Sequence, residues 1–235
     1  MTLFADLHLN PQKLAGMIDH TLLSPEATPV QVIQLCEEAR QYGFVSVCVN
    51  PTHVPLCADQ VNGTPVKVCT VIGFPLGATT PEVKTFEAYE NIRQGATELD
   101  VVINIGALKA GDRELVKHDI QGVVLAGRAH KTLVKVIIET CLLTDAEKIT
   151  ACLIAKETGA AFVITSTGFS TSGATVADIT LIRRAIGPEM GVMASGGIRS
   201  LEDTLRMIHA GANRIGTGGG VKIIQAALEE AQNHE

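Results

Sequence analysis

The sequence predicts an α/β fold of eight parallel strands alternating with helices, and three observations carry that prediction. Short runs rich in Val and Ile alternate along the chain with segments of helical pattern. The runs are apolar on both faces, as strands are when helices cover one side and a packed core fills the other. The connections are long enough to bring successive strands into parallel pairing. This pattern fits either a closed barrel or a doubly wound sheet, and periodicity does not separate the two. A length of 235 residues suits one such domain, spanning 1–235, and no composition break or Pro/Ser-rich linker divides it.

Strands are expected at 17–20, 44–49, 66–71, 97–104, 133–139, 161–166, 191–195 and 213–216. Helices are expected near 28–42, 81–94, 112–130, 144–158, 175–186, 200–210 and 219–232. Thr144 and Ser200 stand three residues before Glu147 and Asp203, a spacing that resembles a capping box. Pro81 suits a first helical turn. Gly43, Gly95, Gly159 and Gly211 each stand between a helical segment and a strand, where glycine fits a left-handed C-cap. Their recurrence is a faint internal repeat.

Composition removes several function classes. Hydrophobic residues make up 46% and charged residues 19%, enough for one buried core and unlike a disordered chain. The net charge of −6, with no basic run, gives no electrostatic footprint for nucleic acid. No apolar stretch approaches the ~18 residues that span a bilayer. The start, MTLFADLHLNPQKL, lacks the basic and apolar regions of a signal peptide. The six cysteines include no CxxC pair, and no His cluster has zinc spacing. They read as reduced thiols of a cytoplasmic protein, with no metal and no cofactor expected.

In a barrel, chemistry sits at the C-terminal ends of the strands. Read in order, those ends are Asp19-His20-Thr21, Cys48-Val49-Asn50-Pro51, GFPLG at 73–77, Asp100 within LDVVINIG, Lys135 through Glu139-Thr140, TSTGFS at 165–170, ASGGIR at 194–199 and GTGGG at 216–220. The last three are glycine-rich turns leading toward helices. Such turns let backbone N–H groups approach an anion, although glycine also serves plain tight turns. Asp100 is a carboxylate inside an apolar strand, where it must be either paired or used. Lys135 is the candidate partner. It lies four residues before Glu139, hence ~13 Å deeper, and is not expected to reach the pocket. Cys48 and Cys69 read as small packing groups.

The ordered segments DHTLL at 19–23, VCVNP at 47–51, VIGFPLGA at 71–78, ELDVVINIGALKAGD at 98–112, VKVIIET at 134–140, TSTGFSTSGAT at 165–175, ASGGIR at 194–199 and RIGTGGGV at 214–221 resemble the deoxyribose-phosphate aldolases over nearly the whole chain. The resemblance implies a (β/α)₈ TIM barrel rather than an open sheet. It also implies class I aldolase chemistry. A strand-six lysine, in FVKTSTG, forms an imine with the substrate carbonyl, and a strand-seven lysine, in VKASGGIR, lowers its pKa. A strand-four aspartate moves protons, and the last three loops hold a phosphate.

This sequence departs from the pattern at the reacting groups. It reads FVITSTG at 162–168 and VMASGGIR at 192–199, so Ile164 and Met193 stand at the two lysine positions and Asp100 alone remains. Neither replacement has an amine to form an imine. Gly218 and Gly219 stand where the family commonly carries two serines, and Ser24 stands where it often carries lysine. The carry-over implies substrate binding by Thr21, Cys48 and Thr167, and phosphate binding by Gly168, Gly196, Gly197, Arg199, Gly218 and Gly219. Both lysine replacements are apolar and of similar bulk, a pattern that suggests an engineered variant. The expected function is an aldolase-inactive barrel whose partner is a small phosphorylated sugar or aldehyde, with a homodimer as one assembly open to it. Two alternatives stand beside it: a repurposed enzyme with desolvated Asp100 as general base, and a non-enzymatic phosphosugar-binding protein.

Overall fold

The computed structural model describes residues 10–233, so the reading of the first nine residues lies outside the described part. Eight parallel strands close into a barrel in chain order. They are β1 (Ile18–Leu22), β2 (Ser46–Val49), β3 (Lys67–Ile72), β4 (Glu98–Val102), β5 (Leu133–Ile137), β6 (Phe162–Ile164), β7 (Gly191–Ser195) and β8 (Arg214–Thr217). β1 pairs with both β2 and β8, with Thr21 opposite Cys48 and Asp19 opposite Gly216. Each of the eight expected strands is present within a few residues. The three that carry Asn104, Glu139 and Ser166 end earlier than expected, because the chain there turns out of the sheet to build the barrel mouth.

All seven expected helices form: Pro29–Tyr42, Pro81–Arg93, Arg113–His130, Asp145–Thr158, Val176–Ile186, Leu201–His209 and Gly220–Gln232. Three shorter ones, Pro11–Ala15, Val54–Gln60 and Ile105–Lys109, were not expected. They span too few turns for an apolar stripe to show in the sequence. Thr144 and Glu147 make a reciprocal capping box, and Pro81 opens its helix. Ser200 caps its helix by accepting from the Asp203 amide, and its hydroxyl donates to the Asp203 carboxylate at 2.6 Å. Gly43 and Gly159 adopt the left-handed C-cap at φ 73° and 82°. At the other two positions the cap itself is Gln94 or Ala210, in right-handed conformation.

The main apolar core lies between barrel and helices, and includes Val47, Val101, Val136, Val163, Val192 and Ile215 from alternate strand positions. Inside the barrel the packing divides by height. The lower interior is charged: Asp19, Glu98, Lys135 and Arg214 are buried together. Above them Val102, Ile137, Ile164 and Met193 form a separate apolar cluster with Phe74 and Phe162 against it. That layering puts a hydrocarbon floor beneath the mouth of the barrel.

Candidate functional site

The mouth opens as a cavity of about 990 Å³. It is lined by Thr21, Thr167, Gly168, Gly196, Gly197, Arg199, Gly218 and Gly219, every expected substrate or phosphate residue except Cys48. Backbone conformation explains the glycines. Gly168, Gly196 and Gly197 have φ of 83°, 89° and 79°, a region that side-chain-bearing residues rarely occupy. Gly173 presses against the same loop, and a Cβ there would stand 2.0 Å from the Gly196 carbonyl oxygen. The loops after β6 and β7 are thus held back to back, joined by the Ala174 amide donating to the Gly196 carbonyl at 3.0 Å.

The helix Gly220–Gln232 begins at the cavity with no side-chain cap. Its first-turn amides have no intrahelical acceptor, and Gly219, Val221 and Lys222 at this positive end line the cavity. Arg199 and Lys222 flank that end, and both are exposed. Lys222 was not singled out in the sequence. It follows GTGGG by two residues on a helix start, and that position was the available signal.

Glu139 shapes the β5 end of the site. It is a non-glycine residue at φ 53°, buried, and its carboxylate accepts from the Thr167 amide at 3.3 Å and from the Thr167 hydroxyl. The Thr167 hydroxyl also accepts from the Phe169 amide at 3.1 Å. Phe169 in turn meets Phe74 edge-on, with ring centroids 5.3 Å apart. One strained residue thereby orients the whole turn that follows β6.

Beneath the cavity Lys135 meets Asp100, the partner the sequence offered it, and does not line the cavity itself. Its Nζ lies 3.1 Å from Asp100 Oδ1, 3.0 Å from Glu98 and 2.6 Å from Asp19. It also approaches the Met193 sulfur at 3.9 Å. Asp100 and Lys135 stand directly opposite each other across β4 and β5, so the pairing follows from strand register. Arg214 completes the group, donating to Asp19 at 2.6 Å and to Glu98 at 3.1 Å while lying over the Phe162 ring.

These contacts set the protonation states. Burial opposes the Lys135 charge, but Asp100, Asp19 and Glu98 outweigh it and hold its pKa well above the ordinary lysine value. Burial likewise opposes the Asp19 charge, yet Lys135 and Arg214 keep its pKa below the usual carboxylate range. Asp100 goes the other way. Burial pushes it up to about 6, with Lys135 opposing and Asp19 and Glu98 reinforcing the shift. Its Oδ1 faces the Lys135 ammonium as a buried ion pair.

Asp100, Ile164 and Met193 do come together inside the barrel. Ile164 and Met193 are directly paired across β6 and β7, and the three residues are 3%, 1% and 2% exposed. None of them lines the cavity. Cys48 is also beneath it, packed with Cys69 and Val71 under Leu23 and Phe74. Among the described residues no helix is long and apolar enough to cross a membrane.

Comparison with known proteins agrees with this architecture. The sequence pattern of the DeoC/LacD family aldolases matches residues 13–226. The deoxyribose-phosphate aldolase of Streptococcus gordonii is 60% identical over 213 residues, covering 91% of this chain and 96% of that one. The enzyme of that name from Listeria monocytogenes is 61% identical over 211 residues, covering 90% and 94%. The tetrameric deoxyribose-phosphate aldolase of Aeropyrum pernix superposes with a TM-score of 0.88 at 37% identity, covering 95% and 94%. By sequence and by fold, this chain belongs to the DeoC/LacD family of aldolases.

Proposed function

We propose that this chain binds a small phosphorylated sugar or aldehyde of the deoxyribose 5-phosphate class and does not cleave it through a lysine imine. One observation carries the reading: a cavity suited to an anion stands directly above a floor made of Ile164 and Met193. The phosphate would sit at the uncapped start of the helix Gly220–Gln232, between Arg199 and Lys222, with the glycine turns of β6 and β7 closing around it. The sugar would extend inward past Thr21 and Thr167. Imine formation needs an amine that can shed its proton, and Ile164 and Met193 have none. Lys135 has an amine, but it is locked protonated in a cage of carboxylates.

Proton abstraction by Asp100 has less in its favour. An elevated pKa suits a general base, yet a base must come within hydrogen-bond reach of its substrate. Asp100 lies outside the cavity lining. Binding alone, in the cytoplasm and in a homo-oligomer, is the working assignment.

The test is calorimetric titration with deoxyribose 5-phosphate, followed by borohydride treatment and intact-mass measurement. Saturable binding with unchanged mass supports the reading. A reduced adduct on any lysine overturns the exclusion of imine chemistry, and absence of binding overturns the ligand assignment.

A further inference from the structure

We propose that Cys48, Cys69 and Asp100 form a buried site for one thiophilic divalent cation of the zinc or cadmium class. Ligand atoms from the three side chains all lie within 4.8 Å of one another. They come from three adjacent strands: Cys48 is directly opposite Cys69 across β2 and β3, and Asp100 sits on β4 opposite Val71. No spacing rule in the sequence would group them, because barrel closure rather than a local loop brings them together.

The donor set suits such an ion. Two thiolates and one carboxylate favour borderline or soft metals over magnesium or calcium, and three protein ligands leave a fourth position for water. Asp100 contributes a buried carboxylate whose Oδ1 is ion-paired with Lys135 at 3.1 Å, so a bound cation would share that carboxylate with Lys135. The thiols are protonated in the metal-free state. Burial drives the pKa of Cys69 well above the ordinary thiol value; at Cys48 the hydrogen bond with Cys69 lowers it, but burial and Asp100 together outweigh that and raise it.

Charge balance also permits binding. Asp19, Glu98 and Asp100 supply three negative charges to the barrel interior when ionised, and Lys135 and Arg214 supply two positive ones. A divalent ion that displaces two thiol protons leaves that net charge unchanged, so no uncompensated charge is added to the interior. Lys135 is the one repelling neighbour, and Asp19 and Glu98 neutralise it from its other sides. Leu23 and Phe74 roof the cluster, and Leu23 also lines the mouth cavity, so an ion would enter from there when these side chains move.

The experiment uses the full chain, reduced and stripped with chelator, titrated with cadmium under argon. The ultraviolet thiolate-to-cadmium charge-transfer band should grow to one equivalent. Cys48→Ser and Cys69→Ser should each lose the band, and Asp100→Asn should weaken binding about tenfold or more. A Cys36→Ser, Cys57→Ser variant controls for the other neighbouring thiol pair and should behave like the parent. X-ray absorption of the zinc-loaded parent should show two sulfur ligands per metal, which keeps the proposal testable should a variant fail to fold. Absence of a band, a band that survives both Cys48→Ser and Cys69→Ser, loss of the band in the Cys36/Cys57 control, or a zinc shell without two sulfurs would each overturn it.

Discussion

The Nζ of Lys135 lies 2.6 Å from Oδ2 of Asp19, and neither side chain is exposed. Removing one partner of a buried pair leaves the other charged and unsatisfied, at about 3–5 kcal/mol. Here Lys135 serves three carboxylates, so Lys135→Met should fall at or above that range in urea unfolding. Unchanged stability would mean that Lys135 is not the keystone of the lower barrel and that its amine has the freedom denied to it here.

Asp100 makes a signed prediction. An acid whose native pKa lies above its unfolded value binds its proton more tightly when folded. Its contribution is complete below the ordinary value of 3.8 and is lost as pH rises through about 6. Asp100→Asn removes that loss, so its stability relative to the parent should improve by roughly 1–3 kcal/mol between pH 4 and pH 7.5. Chemical denaturation of chelator-treated protein at both pH values measures it. A relative stability that worsens with pH would place the native pKa of Asp100 below the ordinary value, with Lys135 outweighing burial.

The anion seat predicts two opposite changes. Arg199→Ala and Lys222→Ala should each weaken binding of deoxyribose 5-phosphate. Gly219→Ser should strengthen it, because a new hydroxyl donor to a charged group contributes ~1.5–3 kcal/mol. A Cβ at Gly219 meets its nearest neighbour, the Thr217 hydroxyl, at 3.4 Å, so the site has room for it. Gly218 is tighter, with the Thr21 carbonyl oxygen at 3.1 Å, and Gly218→Ser should gain less. Calorimetry showing equal affinities for all four variants would move the phosphate elsewhere.

Glu139 should act through Thr167. Glu139→Ala leaves the Thr167 amide and hydroxyl without their acceptor, at about 1–3 kcal/mol in stability. It should also weaken phosphosugar binding by loosening the turn after β6. Glu139→Gln keeps an acceptor oxygen and should recover most of the affinity. If the alanine and glutamine variants bind alike, the carboxylate does not position the turn.

The eight-strand alternation was legible because the strands are separated by well-capped helices, and Thr144 with Glu147 forms the box that their spacing suggested; closure into a barrel was implied only by the family resemblance, since periodicity leaves an open sheet equally possible. The mouth was legible because Gly168, Gly196 and Gly197 need a backbone conformation that favours glycine. The pairing of Lys135 with Asp100 was legible as one alternative, but its contact with Asp19 was not, because barrel closure brings β1 and β5 side chains together in the interior. The Cys48–Cys69 contact was hidden because it depends on the register of two strands, which no local pattern encodes. Lys222 escaped notice because a lone lysine on a helix is ordinary until the fold turns that helix toward a cavity.

On the proposed function, the hydrocarbon pair Ile164 and Met193 withholds aldolase chemistry from an otherwise assembled site. The most direct measurement compares the parent with an Ile164→Lys, Met193→Lys variant for cleavage of deoxyribose 5-phosphate to glyceraldehyde 3-phosphate and acetaldehyde. The double variant should cleave the sugar at least about a thousandfold faster than the parent and yield a borohydride-trapped adduct at residue 164. Comparable cleavage by the parent, or a folded double variant that binds the sugar and leaves it intact, would contradict it.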